Sequence, residues 1–228
     1  MVENHPEGNR SSHVFRGLEL LKNNDFPTGP IALDCEMVGV GKNKRSALAR
    51  VSIVDYTGGV LYDVISRPDE PITDFRTRYS GIRPIDMENA LPFKSVQSDV
   101  QQIIENRVVV GHMIKNDFTA LQLTHPPELV RDTGTSPLVS KLVNRNGKGP
   151  VGLKYLALEL LGLEIQTGEH DSIVDAQTTL AIYQLVEDEW EAQYGPKCIP
   201  VTNEPTFESQ SPLDETGKGC FTNCCRFC

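Results

Sequence analysis

Residues Ile31–Val40, IALDCEMVGV, decide how this chain folds. Apart from Asp34 and Glu36 the segment is almost wholly apolar, which predicts a buried β-strand. Because side chains alternate across a strand, the two carboxylates point to the same face. Two like charges beside apolar neighbours repel each other and lose hydration. A divalent cation would relieve both costs, so this strand indicates a metal site.

The segments around this strand predict an α/β domain. ALARVSIVDY (47–56) alternates as a second strand, and Gly58 and Gly59 form a hairpin turn into a third, VLYDVI (60–65). Two shorter strands are predicted at RVVVGH (107–112) and ELVRDT (128–133). Helical patterns occupy residues 93–106, 116–123, 151–162 and 172–190. This order predicts a mixed five-stranded sheet flanked by helices.

The composition divides the 228 residues into three parts. Residues 1–29 form a polar lead with one short helix at VFRGLELLKNN (14–24), residues 30–194 form the folded domain, and residues 195–228 form a disordered tail rich in proline and polar residues. No apolar stretch is long enough to span a membrane, and the N-terminus carries no apolar signal region.

Five of the six cysteines lie at or beyond Cys198. Cys35 alone lies in the domain, facing away from Asp34 and Glu36, which predicts a reducing compartment. The tail ends CFTNCCRFC, and a flexible tail with incidental cysteines is favoured over a zinc site or lipidation.

The net charge of −9 counts against a simple nucleic-acid-binding module, because such modules are usually basic. Two segments, residues 41–50 and 141–154, nevertheless carry four basic side chains each and no acid. They are interpreted either as loops that grip phosphates or as ordinary solvated loops.

Three further residues complete a candidate site with Asp34 and Glu36. Asp117 follows the strand 107–112, and Asp175 lies about one turn into the helix that begins near residue 172, with Ser172 as the expected cap. His170 precedes that helix. Each has an ordinary explanation alone, such as a helix cap or a solvent-facing acid, but together they meet at one edge of one sheet.

This combination fits phosphodiester chemistry. Two metal ions about 4 Å apart can clamp a phosphodiester and activate water. A histidine beside that water is a natural general base, because its unperturbed pKa lies near neutrality. His112 is interpreted as structural, near the site without being a ligand.

Six segments carry a family resemblance. They are DCEMVGVG (34–41), LARVSIVD (48–55), ITDFRTRYSGIRP (72–84), VVVGHMIKNDF (108–118), the basic segment that runs into GLKYLALELLG (152–162), and EHDSIVDAQTT (169–179). In this order they resemble the DEDDh 3′→5′ exonucleases, specifically the branch of RNA exonuclease 4 and the interferon-stimulated exonuclease. The resemblance covers about residues 31–191.

The resemblance implies a ribonuclease H-like fold and a two-metal reaction that releases nucleoside 5′-monophosphates. It implies two Mg²⁺ or Mn²⁺ ions held by four carboxylates, those of Asp34, Glu36, Asp117 and Asp175. It also implies that His170 is the general base. It implies that Met37 packs against the terminal base or sugar and that Arg76 reaches the substrate backbone.

The expected partner is a single-stranded nucleic acid with a free 3′ end, with RNA favoured over DNA and ribosomal RNA processing as one role. The alternatives are an exonuclease for single-stranded DNA or short oligonucleotides, and an inactive binding partner. A P-loop based on GVGKNKR is excluded, because the G-x-x-x-x-G-K-[ST] pattern is absent. The resemblance favours the nucleus, including the nucleolus, with the cytoplasm as the alternative, since the chain ends are not basic.

Overall fold

The computed structural model describes residues 27–145 and 149–194. The helix predicted at residues 14–24 and the predicted tail, with its cysteines, lie outside these ranges. In the part that the structure describes, no helix has the length and apolar character needed to cross a membrane.

Strand β1 (Ile31–Val40) lies inside the sheet and determines its order. It pairs antiparallel with β2 (Arg45–Val54), which pairs antiparallel with β3 (Val60–Arg67). On its other side β1 pairs parallel with β6 (Val109–Gly111), and β6 pairs parallel with β7 (Val130–Asp132).

Two short strands extend the predicted five to seven. Strand β4 (Ile72–Asp74) pairs with the end of β1, and β5 (Leu91–Pro92) lies beside β3, giving the order β5-β3-β2-β1-β6-β7 with β4 off this path. The predicted mixed sheet is confirmed, but the predicted number of strands is wrong. Strands of three and two residues are too short to show the alternation on which a sequence prediction depends.

The helices have the following bounds: α1 (Thr77–Ser80), α2 (Phe93–Ile104), α3 (Lys115–Leu121), α4 (Pro137–Leu142), α5 (Leu153–Leu156, continued by a π-helical turn Ala157–Leu161), α6 (Ser172–Gln184) and α7 (Glu187–Glu191). The predicted single helix 172–190 is wrong, because the chain turns at Leu185 and Val186. The turn lets Val186 and Trp190 both enter the apolar cluster that α6 covers.

The turn between β2 and β3 is built as the Gly58–Gly59 pair predicts. Gly58 has a φ of +83°, which favours glycine, and a Cβ at Gly59 would lie 2.8 Å from Asp55 Oδ2. The Asp55 carboxylate accepts the backbone N–H of Gly59 at 2.9 Å. Gln177 on α6 donates to the Gly58 carbonyl at 2.8 Å, which fixes that helix against the hairpin.

The sheet has a separate apolar cluster on each face. Ile31, Leu33 and Cys35 pack with α2 and α3, whereas Ala32 packs with α5, α6 and α7. Cys35 is buried on the face opposite Asp34 and Glu36, as predicted. The two carboxylates therefore lie on the face that α6 covers.

Candidate active site

Asp117 reaches β1 through an open stretch of its edge. Strand β6 pairs with β1 only at Ile31 and Ala32, so the later backbone groups on this edge lack that partner. Asp117, in the first turn of α3, accepts the Cys35 N–H at 3.0 Å through Oδ1. Its carboxylate is thus fixed to the β1 backbone beside Asp34 instead of capping its own helix.

Asp175 comes to the same place from the first turn of α6. One oxygen from Glu36, one from Asp175 and one ring nitrogen of His170 lie within 4.8 Å of one another. His170 Nδ1 lies 3.7 Å from Asp175 Oδ2. The structure therefore brings one strand carboxylate, one helix carboxylate and the candidate base to a single point.

The four carboxylates disfavour each other's charged forms. Burial raises the pKa of Asp34 well above its usual value, and the charges of Asp117, Asp175 and Glu36 raise it further. Burial, followed by the charge of Asp175, raises the pKa of Glu36 to about 8. Burial also raises the pKa values of Asp117 and Asp175. The protein thus concentrates negative charge that its own side chains do not neutralise.

The residues present fit divalent cations. Glu36 Oε1 is buried and has no hydrogen-bond partner among the residues that the structure describes. A buried carboxylate oxygen without a donor costs free energy unless another positive group meets it. Clustered carboxylate oxygens are the hard donors that Mg²⁺ and Mn²⁺ prefer.

The backbone of His170 is held by the segment around α1. Its N–H donates to the Tyr79 carbonyl at 2.7 Å, and the two rings meet edge to face with centroids 6.3 Å apart. Beside it, Arg83 and Glu169 form an ion pair at 2.6 Å. The loop before α6 is therefore fastened to the segment that follows β4.

A buried arginine, Arg50, organises the start of α6; it belongs both to the basic segment 41–50 and to the second predicted strand, 47–56. Arg50 is only 5% exposed and lies in β2 opposite Glu36. Its Nε and Nη2 donate to the two oxygens of Asp63 on β3, at 2.7 and 3.1 Å. Its Nη1 donates to Asp171 Oδ1 at 3.1 Å. One guanidinium thus connects two strands to the residue after His170.

The cap of α6 is Asp171, so the predicted cap at Ser172 is wrong. The Asp171 carboxylate accepts the N–H of Ile173 at 3.1 Å. Ser172 is fully buried, and its hydroxyl hydrogen-bonds the Ser52 hydroxyl at 2.6 Å. The aspartate carboxylate accepts a free N–H at the start of the helix and also pairs with the Arg50 guanidinium. Serine could cap the helix but carries no charge to pair with Arg50.

Gln166 is a site residue that the sequence analysis missed. Its Nε2 donates to Asp175 Oδ2 at 2.7 Å, and its backbone has a φ of +52°. A non-glycine residue in this region is uncommon and indicates a position held by its surroundings. A single glutamine in a loop gives no sequence signal of such a role.

The two residues expected to contact substrate lie outside the carboxylate cluster. Met37 is half-buried and packs against the apolar cluster beneath α2 and α3. Arg76 donates to Ser46 Oγ at 2.8 Å and to the Lys44 carbonyl at 2.7 Å. In this structure Arg76 holds the turn between β1 and β2, and its contact with substrate stays a prediction.

Several basic side chains of the two basic segments have partners within the protein. Lys44 pairs with Asp74 at 3.1 Å, and Arg45 pairs with Glu70. Lys154 donates to the Gln166 carbonyl at 2.9 Å. These contacts favour the interpretation of the exposed residues 42–46 as an ordinary solvated loop rather than a phosphate-binding loop, whereas Leu48, Ala49 and Arg50 are buried in β2.

His112 lies near the site with a role of its own. Its Nδ1 is 3.1 Å from Thr133 Oγ1, and burial lowers its pKa. A half-buried histidine bonded to a threonine fits the structural role predicted for it.

Comparison with known proteins follows the same segments. Residues 31–183 match the RNase_T family of exonucleases. The chain is 46% identical over 170 residues to the mouse interferon-stimulated 20 kDa exonuclease-like 2, covering 73% of this chain and 46% of that protein. It is 46% identical over 171 residues to the human apoptosis-enhancing nuclease, covering 74% and 53%.

A fungal relative and a solved structure agree with these matches. RNA exonuclease 4 of Cryptococcus neoformans is 43% identical over 181 residues, covering 78% of this chain and 44% of that protein. The chain thus spans about half the length of these curated relatives. The Saccharomyces cerevisiae Pan2 pseudoubiquitin hydrolase–RNA exonuclease module in complex with A7 RNA superposes with a TM-score of 0.64 at 31% identity, over 80% of this chain and 33% of that one. This likeness confirms the fold expected from the motifs.

Proposed function

The chain belongs to the RNase_T family of exonucleases, as its DEDDh motifs indicate, and we propose that it removes nucleotides from the 3′ end of single-stranded RNA and releases nucleoside 5′-monophosphates. The observation that carries this proposal is the convergence of Glu36, Asp175 and His170 within 4.8 Å. Asp34, which is partly exposed, and Asp117, which is buried, add two further carboxylates beside that point.

In the proposed reaction, Asp34, Glu36, Asp117 and Asp175 hold two Mg²⁺ or Mn²⁺ ions. When bound, such ions lower the pKa of the attacking water and stabilise charge on the phosphate and the leaving oxygen. The carboxylates are suited to this because burial and mutual repulsion raise their pKa values in the free protein.

His170 is proposed to take the proton from the attacking water. Asp175 Oδ2, 3.7 Å from Nδ1, stabilises the imidazolium that forms. The bond between phosphorus and the 3′ oxygen of the preceding nucleotide then breaks. Because the Tyr79 carbonyl holds the backbone of His170 and Arg50 holds Asp171 beside it, the imidazole starts from a fixed position.

The preference for RNA rests on the relatives. One is an RNA exonuclease, and the superposed Pan2 structure contains RNA. Ribosomal RNA processing in the nucleus or nucleolus, with the cytoplasm as the alternative, stays a prediction. Microscopy of the tagged chain, together with sequencing of ribosomal RNA 3′ ends after its removal, checks it.

A gel assay tests the proposal. Single-stranded RNA and DNA of equal length, labelled at the 5′ end, are incubated with Mg²⁺ or Mn²⁺ and either the parent chain or Asp34→Asn. We expect a ladder that shortens from the 3′ end faster on RNA and is absent with Asp34→Asn. The exposed Glu105→Gln is the matched control and should behave as the parent.

Each alternative gives a different gel. A faster ladder on DNA, or a rate that falls steeply with oligonucleotide length, would favour the DNA or short-oligonucleotide activity. Absence of any ladder from a folded parent chain, with RNA still bound, would favour the inactive binding partner.

A further inference from the structure

A cavity of about 590 Å³ lies beside His170. The reaction proposed above places no part of the substrate in it. Its lining includes Arg78, Tyr79, Lys154, Gln166, Glu169 and His170. Cavities between about 300 and 1,000 Å³ are the usual size for small-molecule sites, so a single nucleotide fits this one.

The lining has the chemistry of a single-strand subsite. Tyr79 is 60% exposed and presents a flat aromatic ring, with Arg78 Cζ 5.8 Å from its centroid. An exposed aromatic ring flanked by cations is the usual platform on which unpaired bases stack. The one acid in the lining, Glu169, is already paired with Arg83, so Arg78 and Lys154 dominate the local charge.

The cavity is physically joined to the reacting groups. The Tyr79 carbonyl accepts the His170 N–H at 2.7 Å, and Gln166 both lines the cavity and donates to Asp175 at 2.7 Å. Lys154 is fixed to the same wall through the Gln166 carbonyl at 2.9 Å. A strand whose scissile phosphate lies at the carboxylates can therefore continue directly into this cavity.

We propose that the cavity binds the next-to-last nucleotide of a single-stranded substrate, with its base stacked on Tyr79 and the phosphate on its 5′ side contacted by Arg78 and Lys154. This assignment rests on the proposed exonuclease function. It implies selection for unpaired 3′ ends, because a base held in a duplex stack cannot also cover the Tyr79 ring.

The test compares two substrates that differ in this nucleotide. Single-stranded RNA contains it, whereas the p-nitrophenyl ester of thymidine 5′-monophosphate does not. Water attacks phosphorus in both; the ester releases p-nitrophenolate and thymidine 5′-monophosphate. For Tyr79→Ala we expect kcat/KM on RNA to fall roughly 5- to 100-fold, as for the loss of one base–aromatic stack. Because the Tyr79 ring also contacts the His170 ring, the ester reports any loss at the general base itself, and the fall on RNA should clearly exceed the fall on the ester.

Two variants serve as controls. Tyr79→Phe keeps the ring and should keep the activity on RNA. Tyr56→Ala removes an exposed tyrosine in the turn after β2, outside the cavity lining, and should change neither substrate. RNA binding measured by fluorescence anisotropy without added cations adds a readout independent of turnover, in which only Tyr79→Ala is expected to weaken Kd.

The possible failures are distinct. Equal losses on RNA and on the ester would mean that Tyr79 supports the site as a whole, and unchanged turnover and binding of RNA would mean that the ring contacts no base; either result overturns the assignment. A parent chain that hydrolyses neither substrate would refute the exonuclease function itself, and the subsite with it.

Discussion

Removing the charge of Glu36 should make the cation-free protein more stable while removing its response to cations. Burial and the charge of Asp175 raise the pKa of Glu36 from its ordinary 4.5 to about 8. When folding raises the pKa of a carboxyl group, its ionisation destabilises the folded protein. The free energy of unfolding is then highest below the unfolded pKa and falls as the pH rises through the folded pKa. Glu36→Gln keeps the shape of the side chain and removes this loss.

The magnitude follows from the two pKa values. With 4.5 in the unfolded chain and about 8 in the folded protein, Glu36 lowers the free energy of unfolding by at most about 3 kcal/mol at pH 7, because the unfolded chain gains free energy by ionising it and the folded protein mostly keeps it protonated. The neighbouring carboxylates share protons with it, so we expect a gain of about 2 kcal/mol for the variant. In a domain of this size that gain raises Tm by roughly 4–8 °C.

Thermal unfolding with a chelator, from pH 4.5 to 8.5, measures the effect. The gain should be largest at pH 8.5 and become small near pH 4.5, where Glu36 is protonated in the folded protein and still half protonated in the unfolded chain. Mn²⁺ should then stabilise the parent chain more than the variant. Glu105→Gln, which removes an exposed charge after α2, should show neither effect. A variant no more stable than its parent at pH 8.5, or one equally stabilised by Mn²⁺, would refute this account of the cluster.

Three further substitutions test the other parts of the site. Arg50→Ala leaves Asp63 buried without its counter-charge and should cost about 3–5 kcal/mol in urea unfolding, whereas a cost below about 1 kcal/mol would contradict the network. His170→Ala should lower kcat on RNA by roughly 10²–10⁴-fold with the fold retained by circular dichroism; an unchanged kcat would exclude it as the base. Arg76→Ala removes exposed hydrogen bonds, including that to Ser46, and should lower the free energy of unfolding by at most about 1 kcal/mol. Because the fold is then retained, a rise in KM beyond tenfold would indicate a contact with substrate, and an unchanged KM would contradict one.

The strand and its carboxylates were predictable because their physics is local. Alternation along residues 31–40 places Asp34 and Glu36 on one face whatever surrounds them. The motif order then implies which segments bring Asp117, Asp175 and His170. The precise attachment of Asp117 to the Cys35 N–H was not predictable, since it depends on where β6 stops pairing with β1.

The contacts that hold the site together gave no local signal. Arg50 lies in a basic segment and in the predicted strand 47–56, but only the register of β2 against β1 and β3 shows that its side chain lies inside the protein. Ser172 has the right residue type for a helix cap, but the neighbouring Asp171 takes that place because it also meets Arg50. Both outcomes depend on residues more than ten positions apart, which periodicity does not sample.

The Arg50 network also explains why cations, rather than the protein, must neutralise the site. The guanidinium opposes the pKa rise at Asp34 and Glu36, but it is bound by two carboxylates, Asp63 and Asp171. One positive charge shared between two negative ones leaves the assembly negative, so the network fixes the position of α6 without cancelling the charge of the cluster. The remaining negative charge must be met by protons when cations are absent and by cations when they are present. Folding and the proposed cation binding would therefore be coupled through the same four carboxylates.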